Sequence, residues 1–344
     1  VIDNGSEARG PQADMSRRAL LQASAALLGA ACPLAAGAEE PAPAADLATD
    51  EAIERALPSL SNWGRWGPDD QLGTLNLITA AMRSAAAQTV RSGRVVALGR
   101  EFAPDTAQLR HFSYRMVRYE DPLPEEAGAI DVVTLMCHGF AVTHVDALCH
   151  FFTPAGKAGM YNGHAIENVT PLGSRKLGIE RIGEVGIVGR GVLLDIAALR
   201  GGPLLVGSAI EPQDLELAEK AQNVRVGEGD ILFVRNGAGV GNTHERGTGL
   251  TASCLPWLKA RGVAVLSSDA DSDIHPPPPG IKRWVEPIHM VGIPYMGLVL
   301  LDNADLDELS AVCASEGRYS FFVSVAPWRL KGATGGAVNP LAMF

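Results

Sequence analysis

The sequence has little that would tie it to a charged polymer, a bilayer or a disulfide framework. Lys and Arg number 29 against 39 Asp and Glu, for a formal net charge of -10. No basic cluster stands out, so nucleic acid and anionic membranes, which attract clustered cations, are poor partners. A small molecule is the better default. Cysteine is scarce, five in 344 residues, with no C-x-x-C spacing, which argues against a disulfide scaffold. Cys137 and Cys149 read as small buried apolar residues rather than ligands. No G-x-S-x-G is present, so the serine-nucleophile signature is missing. The apolar stretch Ala19 to Ala31 is interrupted by Gln22 and Ser24 and, at about 13 residues, is too short to span a bilayer.

Nucleotide-binding loops are also lacking. Gly237-Ala238-Gly239-Val240-Gly241 follows a strand candidate, but Asn242 stands where a third glycine belongs and no helix begins there. The phosphate-binding geometry needs backbone N–H groups at a helix N-terminus. Gly332-Ala333-Thr334-Gly335-Gly336 lacks a P-loop lysine and reads as a loop.

What is present is an ordinary globular balance, 47% hydrophobic, well away from disordered compositions. The N-terminus reads as an address. Residues 1–38 hold upstream residues and then Ser16-Arg17-Arg18 before the apolar stretch, with the small-residue site Ala36-Gly37-Ala38. That order is a secretory signal with a twin-arginine character, and it implies a periplasmic or secreted protein. Residues 39–49, rich in Ala and Pro, read as a linker. One catalytic domain, residues 50–344, is then large enough for a substantial core. Nothing in it argues against a homo-oligomer.

Asp50 to Glu54 opens a short helix, and Ser59 to Asn76 reads as a loop carrying Trp63 and Trp66. Thr79 caps an Ala-rich helix to about Ser92, and Arg94 to Leu98, Ile130 to Met136 and Val192 to Ile196 are strand candidates. Asp230 to Arg235, a helix from Thr251 to Ala260 capped by Thr251, and Val263 to Ser267 form a β-α-β unit. A helix from Leu306 to Ser315 and a strand over Phe321 to Val325 close the chain. The class is mixed α/β.

Four of the eight histidines fall together: His138, His144, His150 and His164. His144 and Asp146 are two apart, so an extended backbone projects both from one face. An imidazole and a carboxylate there suit a divalent ion. His150, four beyond Asp146, approaches the same spot if the chain turns. Burying three such groups among Ala141, Val142, Val145, Leu148 and Phe151 without partners would cost several kcal/mol. A shared metal offsets that cost.

Thr143-His144-x-Asp146-x-x-x-His150-Phe151 resembles the core signature of the metal-dependent cyclase family, the kynurenine formamidase and isatin hydrolase type, whose fuller pattern is H-x-x-x-H-x-D-x-P-x-H. Asn62-Trp63-Gly64-Arg65-Trp66-Gly67, Gly73-Thr74-Leu75-Asn76, Met160-Tyr161-Asn162-Gly163, Val325-Ala326-Pro327 and Asn339-Pro340 resemble its longer-chain branch. The resemblance covers about Asp50 to Phe344. It implies a swivelling β/β/α fold with mixed sheets and peripheral helices, zinc or manganese as cofactor, and hydrolysis of small amide or lactam bonds.

Two positions depart from the family pattern. Phe140 stands where the first family histidine belongs, and Leu148 where its proline does. His138 is the replacement ligand if the loop carries two extra residues. The resemblance also points to a late His and acid, matched here by His289 and by Asp302 thirteen residues on. They would complete a second metal position or hold a substrate carboxylate. The competing role for Asp302 is a helix cap, and His275, in a proline-rich loop, is a weaker candidate for lining the pocket.

The resulting assignment is His138, His144, Asp146 and Asp302 for metal, His150 and His289 for catalysis, and Trp63, Trp66, Phe151 and Tyr161 as aromatic surfaces for substrate. The rival reading is an exported metal- or ligand-binding protein of the same fold, with Phe140 as the trace of lost catalysis.

Overall fold

The structure is a computed structural model, and it describes residues 46–102, 112–120, 127–154, 159–237 and 247–344; for 118–120 and 127 it describes the backbone alone. The export segment 1–38, the first part of the linker and the glycines beyond Gly237 in the 237–241 run lie outside the described residues. The remainder belongs to one compact unit, Pro43–Phe344.

The fifteen described strands are, in chain order, β1 (Val95–Ala97), β2 (Ser113–Glu120), β3 (Ala127–Thr134), β4 (His144–Asp146), β5 (Val169–Thr170), β6 (Gly173–Ser174), β7 (Ile187–Asp195) and β8 (Ala209–Ile210). Then come β9 (Ile231–Arg235), β10 (Gly249–Leu250), β11 (Val265–Ser268), β12 (Val299–Asp302), β13 (Ser320–Val325), β14 (Gly335–Ala337) and β15 (Leu341–Met343). The α-helices are α1 (Asp50–Leu60), α2 (Ala80–Ala87), α3 (Ile179–Val185), α4 (Ile196–Leu199), α5 (Pro212–Ala221), α6 (Cys254–Arg261), α7 (Pro287–Val291) and α8 (Asp307–Glu316).

Nine strands form one mixed sheet in the order β1-β15-β13-β7-β9-β11-β12-β4-β14. Its centre, β7, β9, β11 and β12, is parallel. These strands read as near-continuous Val, Ile and Leu runs because they are buried on both faces, and β9, β11 and β12 expose almost nothing. The predicted β-α-β unit is β9-α6-β11, with β9 and β11 parallel neighbours. Antiparallel strands flank the parallel core, and on one side β12, β4 and β14 pair in turn. Helices pack around the sheet, and the architecture is the expected mixed α/β single domain.

Several boundaries differ from the sequence reading, each for a local reason. The fold begins before Asp50: Leu47 is buried and its N–H donates to the Ser253 hydroxyl, so part of the expected linker is docked. Thr49 caps α1 and Thr79 caps α2 through their side chains. However, α2 stops at Ala87, where the Thr89 hydroxyl turns back onto the Ala86 carbonyl. Thr251 does not cap α6. Its hydroxyl is spent on Glu211, and the helix starts at Cys254. The 332–336 glycine run is not wholly a loop, since Gly335 and Gly336 enter β14. The four described cysteines are free and buried, and among the described residues no helix is long and apolar enough to cross a membrane.

One buried ion pair ties α5 to α6. Arg261 Nη2 lies 2.7 Å from Glu219 Oε2, with both side chains buried, while Glu219 Oε1 accepts the Val226 N–H at 2.7 Å. Removing one partner strands the other charge away from water. Glu219→Ala should therefore cost about 3–5 kcal/mol, measured by urea unfolding at neutral pH with unchanged m-value.

Candidate metal centre

The site is set by strand register. His144 and Asp146 lie on β4, and Asp302 at the end of β12 pairs directly with His144. Opposed residues in an antiparallel pair share a face, so the three groups converge on one side of the sheet. All three are buried. Asp302 is therefore no surface helix cap. His150 returns to the same place because a turn, closed by its N–H on the Ala147 carbonyl, follows β4 at once.

Asp146 is the focus. Its Oδ1 lies 2.9 Å from His138 Nδ1, 3.4 Å from His144 Nε2 and 4.0 Å from His150 Nε2. Its Oδ2 lies 3.5 Å from His289 Nε2. Yet both carboxylate oxygens, and His138 Nδ1, are buried without an aligned hydrogen bond. The His144 ring explains what such a geometry suits. Its Nδ1 sits 2.8 Å from the Val142 carbonyl, which can only accept, so Nδ1 carries the proton. In the neutral tautomer with that proton, the Nε2 lone pair points at the Asp146 carboxylate. Two electron-rich groups facing each other in a buried space are stabilised by a cation between them, and a metal-bound histidine with its other nitrogen on a carbonyl is a common arrangement. His138, His144 and Asp146 offer ligand atoms that lie together, and so do Asp146, His289 and Asp302. The donor set fits a divalent ion.

His150 does not belong to either ligand group. Its ring stacks on His138, with centroids 3.7 Å apart, and meets Phe151 edge-on. Burial pushes its pKa down to about 3, against the pull of Asp146 and helped by the neighbouring histidines. It is a neutral acceptor at pH 7. For Asp146, burial favours the neutral acid, but His150, His138 and His144 outweigh it and hold the carboxyl below its usual range.

His289 comes from α7 and is oriented by a residue the sequence reading missed. The Asp273 carboxylate accepts the backbone N–H groups of Ile288 and His289 at the start of α7, and also His289 Nδ1 at 2.7 Å. It thereby aims Nε2 at Asp302 Oδ2, 3.0 Å away. Burial alone would lower the His289 pKa, but Asp271, Asp273 and Asp302 raise it well above the ordinary value. Ser272 donates to the other Asp302 oxygen at 2.7 Å. The alternating acids of Asp269-Ala270-Asp271-Ser272-Asp273, directly after an apolar strand, were the available signal.

His138 is held from two sides. Its Nε2 lies 3.0 Å from the Thr334 hydroxyl, and Asn303, at a left-handed φ of 58°, donates to the Gly139 and Val142 carbonyls. Gly335, opposite Asp146 on β14, leaves the space that the His138 ring fills. A Cβ there would stand 2.5 Å from the Val145 carbonyl oxygen on β4 and 2.6 Å from His138 Cε1. Gly335→Ala should push on both β4 and the ring, weakening metal binding by about 10–100-fold and lowering the melting temperature, as read by calorimetric metal titration beside a circular dichroism melt.

Other candidates fall elsewhere. Phe151 borders the cluster, its centroid 4.9 Å from His150 and 5.1 Å from His289. Tyr161 is fully buried with its hydroxyl on Asp70, so its ring has no face to offer a substrate. Trp63 stacks on Tyr295 and donates to the Pro294 carbonyl, and Trp66 lies under the Arg65 guanidinium. His275 pairs with Asp271, and Phe140 packs edge-on against His275.

The family described as putative cyclase matches residues 70–272. This chain belongs to the cyclase family. A crystal structure of a novel cyclase, 28% identical, superposes with a TM-score of 0.72 over 83% of this chain and 99% of that one. An isatin hydrolase bound to the product analogue thioisatinate, 16% identical, covers 78% of this chain and 97% of its own with a TM-score of 0.50. At that identity it speaks for the cyclase fold alone. Comparison with curated proteins finds no match. The family and the mixed α/β fold expected from the residues are thus the ones found. The family match stops short of His289 and Asp302, which the fold of this chain nevertheless brings to Asp146.

Proposed function

We propose that this cyclase-family chain is a metal-dependent hydrolase of a small amide, lactam or ester, with His138, His144 and Asp146 as the principal metal ligands and His150 as general base. The reading rests chiefly on one observation: a buried carboxylate, without an aligned hydrogen bond, faced by a histidine whose Nδ1 proton on the Val142 carbonyl leaves Nε2 toward it. Asp302 and His289 extend the donor set on the far side of Asp146. A divalent ion, zinc or manganese, would supply Lewis acidity there, polarising a carbonyl and acidifying water.

The chain's own residues supply the rest. His150 is neutral and partly open, its side chain 24% exposed, so its Nε2 can accept a proton from the attacking water and return it to the departing nitrogen or oxygen. Stacking on His138 fixes the plane of that ring. Phe151, wedged between His150 and His289, gives a flat apolar wall suited to a cyclic or aryl substrate. His289, held on Asp273, offers a fixed polar group on the other side of the same wall.

The export address argued from Ser16-Arg17-Arg18 would place this reaction in the periplasm or outside the cell, acting on a small molecule without membrane insertion. The test is a panel of aryl formamides, lactams and lactones assayed with the purified protein. Turnover of one class, abolished by a chelator, is the expected result. Stoichiometric metal with no turnover on any class would favour the rival reading, a binding protein of this fold.

A further inference from the structure

The stretch 271–286 follows β11, runs through Pro276-Pro277-Pro278-Pro279 and ends at the start of α7. Its two ends carry a donor set that the metal centre does not use. Asp271 comes just after β11, His275 precedes the prolines, and Glu286 is the N-cap residue of α7. Each offers a ligand atom, and these atoms lie within 4.8 Å of one another. Ion–donor distances of about 2.0–2.4 Å let two donors of one ion stand up to about 4.8 Å apart. The three therefore fit around a single ion. None of them belongs to the ligand groups around Asp146. His289 divides the two places. Its Nε2 faces Asp146 and Asp302, while its Nδ1 faces Asp273 and, at 3.7 Å, Asp271.

Two observations separate this cluster from an ordinary acidic patch. The first is a buried imidazole. The His275 side chain is 4% exposed, with Nε2 3.3 Å from Asp271 Oδ2. Paired backbone bonds with Gly247 fix His275, and Asp271 Oδ1 accepts the Asp273 N–H at 2.9 Å. The second is charge. Among the described residues no Lys or Arg pairs with Asp271, Asp273 or Asp302, whose ion contacts are the imidazoles of His275 and His289. Three largely buried carboxylates thus draw on two rings. Given a metal on Asp302 and His289, the His289 ring is neutral, and Asp271 and Asp273 are left with His275 alone. A cation beside Asp271 makes good that shortfall.

We propose that Asp271, His275 and Glu286 form a second cation site, separate from the metal centre, which takes a divalent first-row ion such as zinc. Mixed imidazole and carboxylate donors suit zinc better than calcium or magnesium. Asp271 and Glu286 are partly open to solvent, so the ion exchanges and is lost on dialysis against a chelator. When bound, it ties the end of β11 to the start of α7 across the proline loop. It also holds Asp271 in place beside His289.

The test is calorimetric titration of zinc into the dialysed full chain carrying Asp146→Asn, so that the metal centre does not contribute. One equivalent should bind, and the melting temperature should rise with zinc concentration. Anomalous diffraction at the zinc edge should place that ion between Asp271, His275 and Glu286. Adding His275→Ala should weaken the binding by about 100-fold or more and remove the peak. Should that double variant fail to fold, Glu286→Gln in its place, at a partly exposed position, should abolish the zinc-dependent rise in melting temperature. In the otherwise wild-type chain, His275→Ala should keep the peak at Asp146, which separates this test from that of the hydrolase reading. Three results overturn the inference: no zinc bound by Asp146→Asn, no peak among the three residues, or an affinity that neither His275→Ala nor Glu286→Gln changes. Asp271 and His275 would then be a plain ion pair.

Discussion

Asp146→Asn should empty the metal centre, lowering bound metal from stoichiometric to trace and kcat/KM by about 10³-fold or more. The substitution keeps size and shape, so packing is a poor explanation for any loss. What it changes is charge and donor type. Asp146 faces four imidazoles, with His138, His144 and His150 on Oδ1 and His289 on Oδ2. It is also shared by both ligand groups of the site. An amide would place an NH2 or a weakly basic carbonyl at the point where His144 Nε2 aims its lone pair. Elemental analysis and turnover measured on one preparation check this, with a circular dichroism melt to show the fold is kept. A variant that retains full metal would move the centre away from Asp146.

His150→Ala should give the opposite pattern, metal retained and kcat lowered by about 10²–10⁴-fold, the range for loss of a general base. The reason is distance and role. His150 Nε2 stands 4.0 Å from Asp146, beyond the other two imidazoles, and the ring is braced by stacking rather than by a donor-atom contact. KM should change little, because the ring's work lies in the proton transfer. Added imidazole should restore part of the lost rate in His150→Ala and leave Asp146→Asn unaffected. If His150→Ala loses its metal instead, His150 is a ligand and the base must be sought elsewhere.

The site was legible in sequence where local geometry decides it. His144 and Asp146 share a face because a strand has a period of two, and His150 follows because the chain turns after β4. The identity of β4's neighbours was not legible. That Asp302 pairs with His144, and that Gly335 stands opposite Asp146, depends on antiparallel partners distant in the chain, and a glycine-rich run gives no hydrophobic alternation to announce a strand. Asp273 was missed because its work is indirect: it caps α7 and orients His289 without entering the ligand group of Asp146. For the aromatic candidates, residue type is a poor guide. Tyr161 carries a hydroxyl that finds Asp70 in the interior, and residue type alone cannot separate such a core tyrosine from one lining a pocket. Helix α2 ended early because Ala-rich propensity says nothing of where the next strand must begin.

Anomalous diffraction from crystals grown with zinc or manganese, recorded at the edge of the added metal, tests the central claim most directly. The account predicts a peak bonded to His138, His144 and Asp146, removed by chelation together with hydrolytic activity. A crystal of active protein with no peak among these three residues, or activity that survives complete removal of metal, would contradict it.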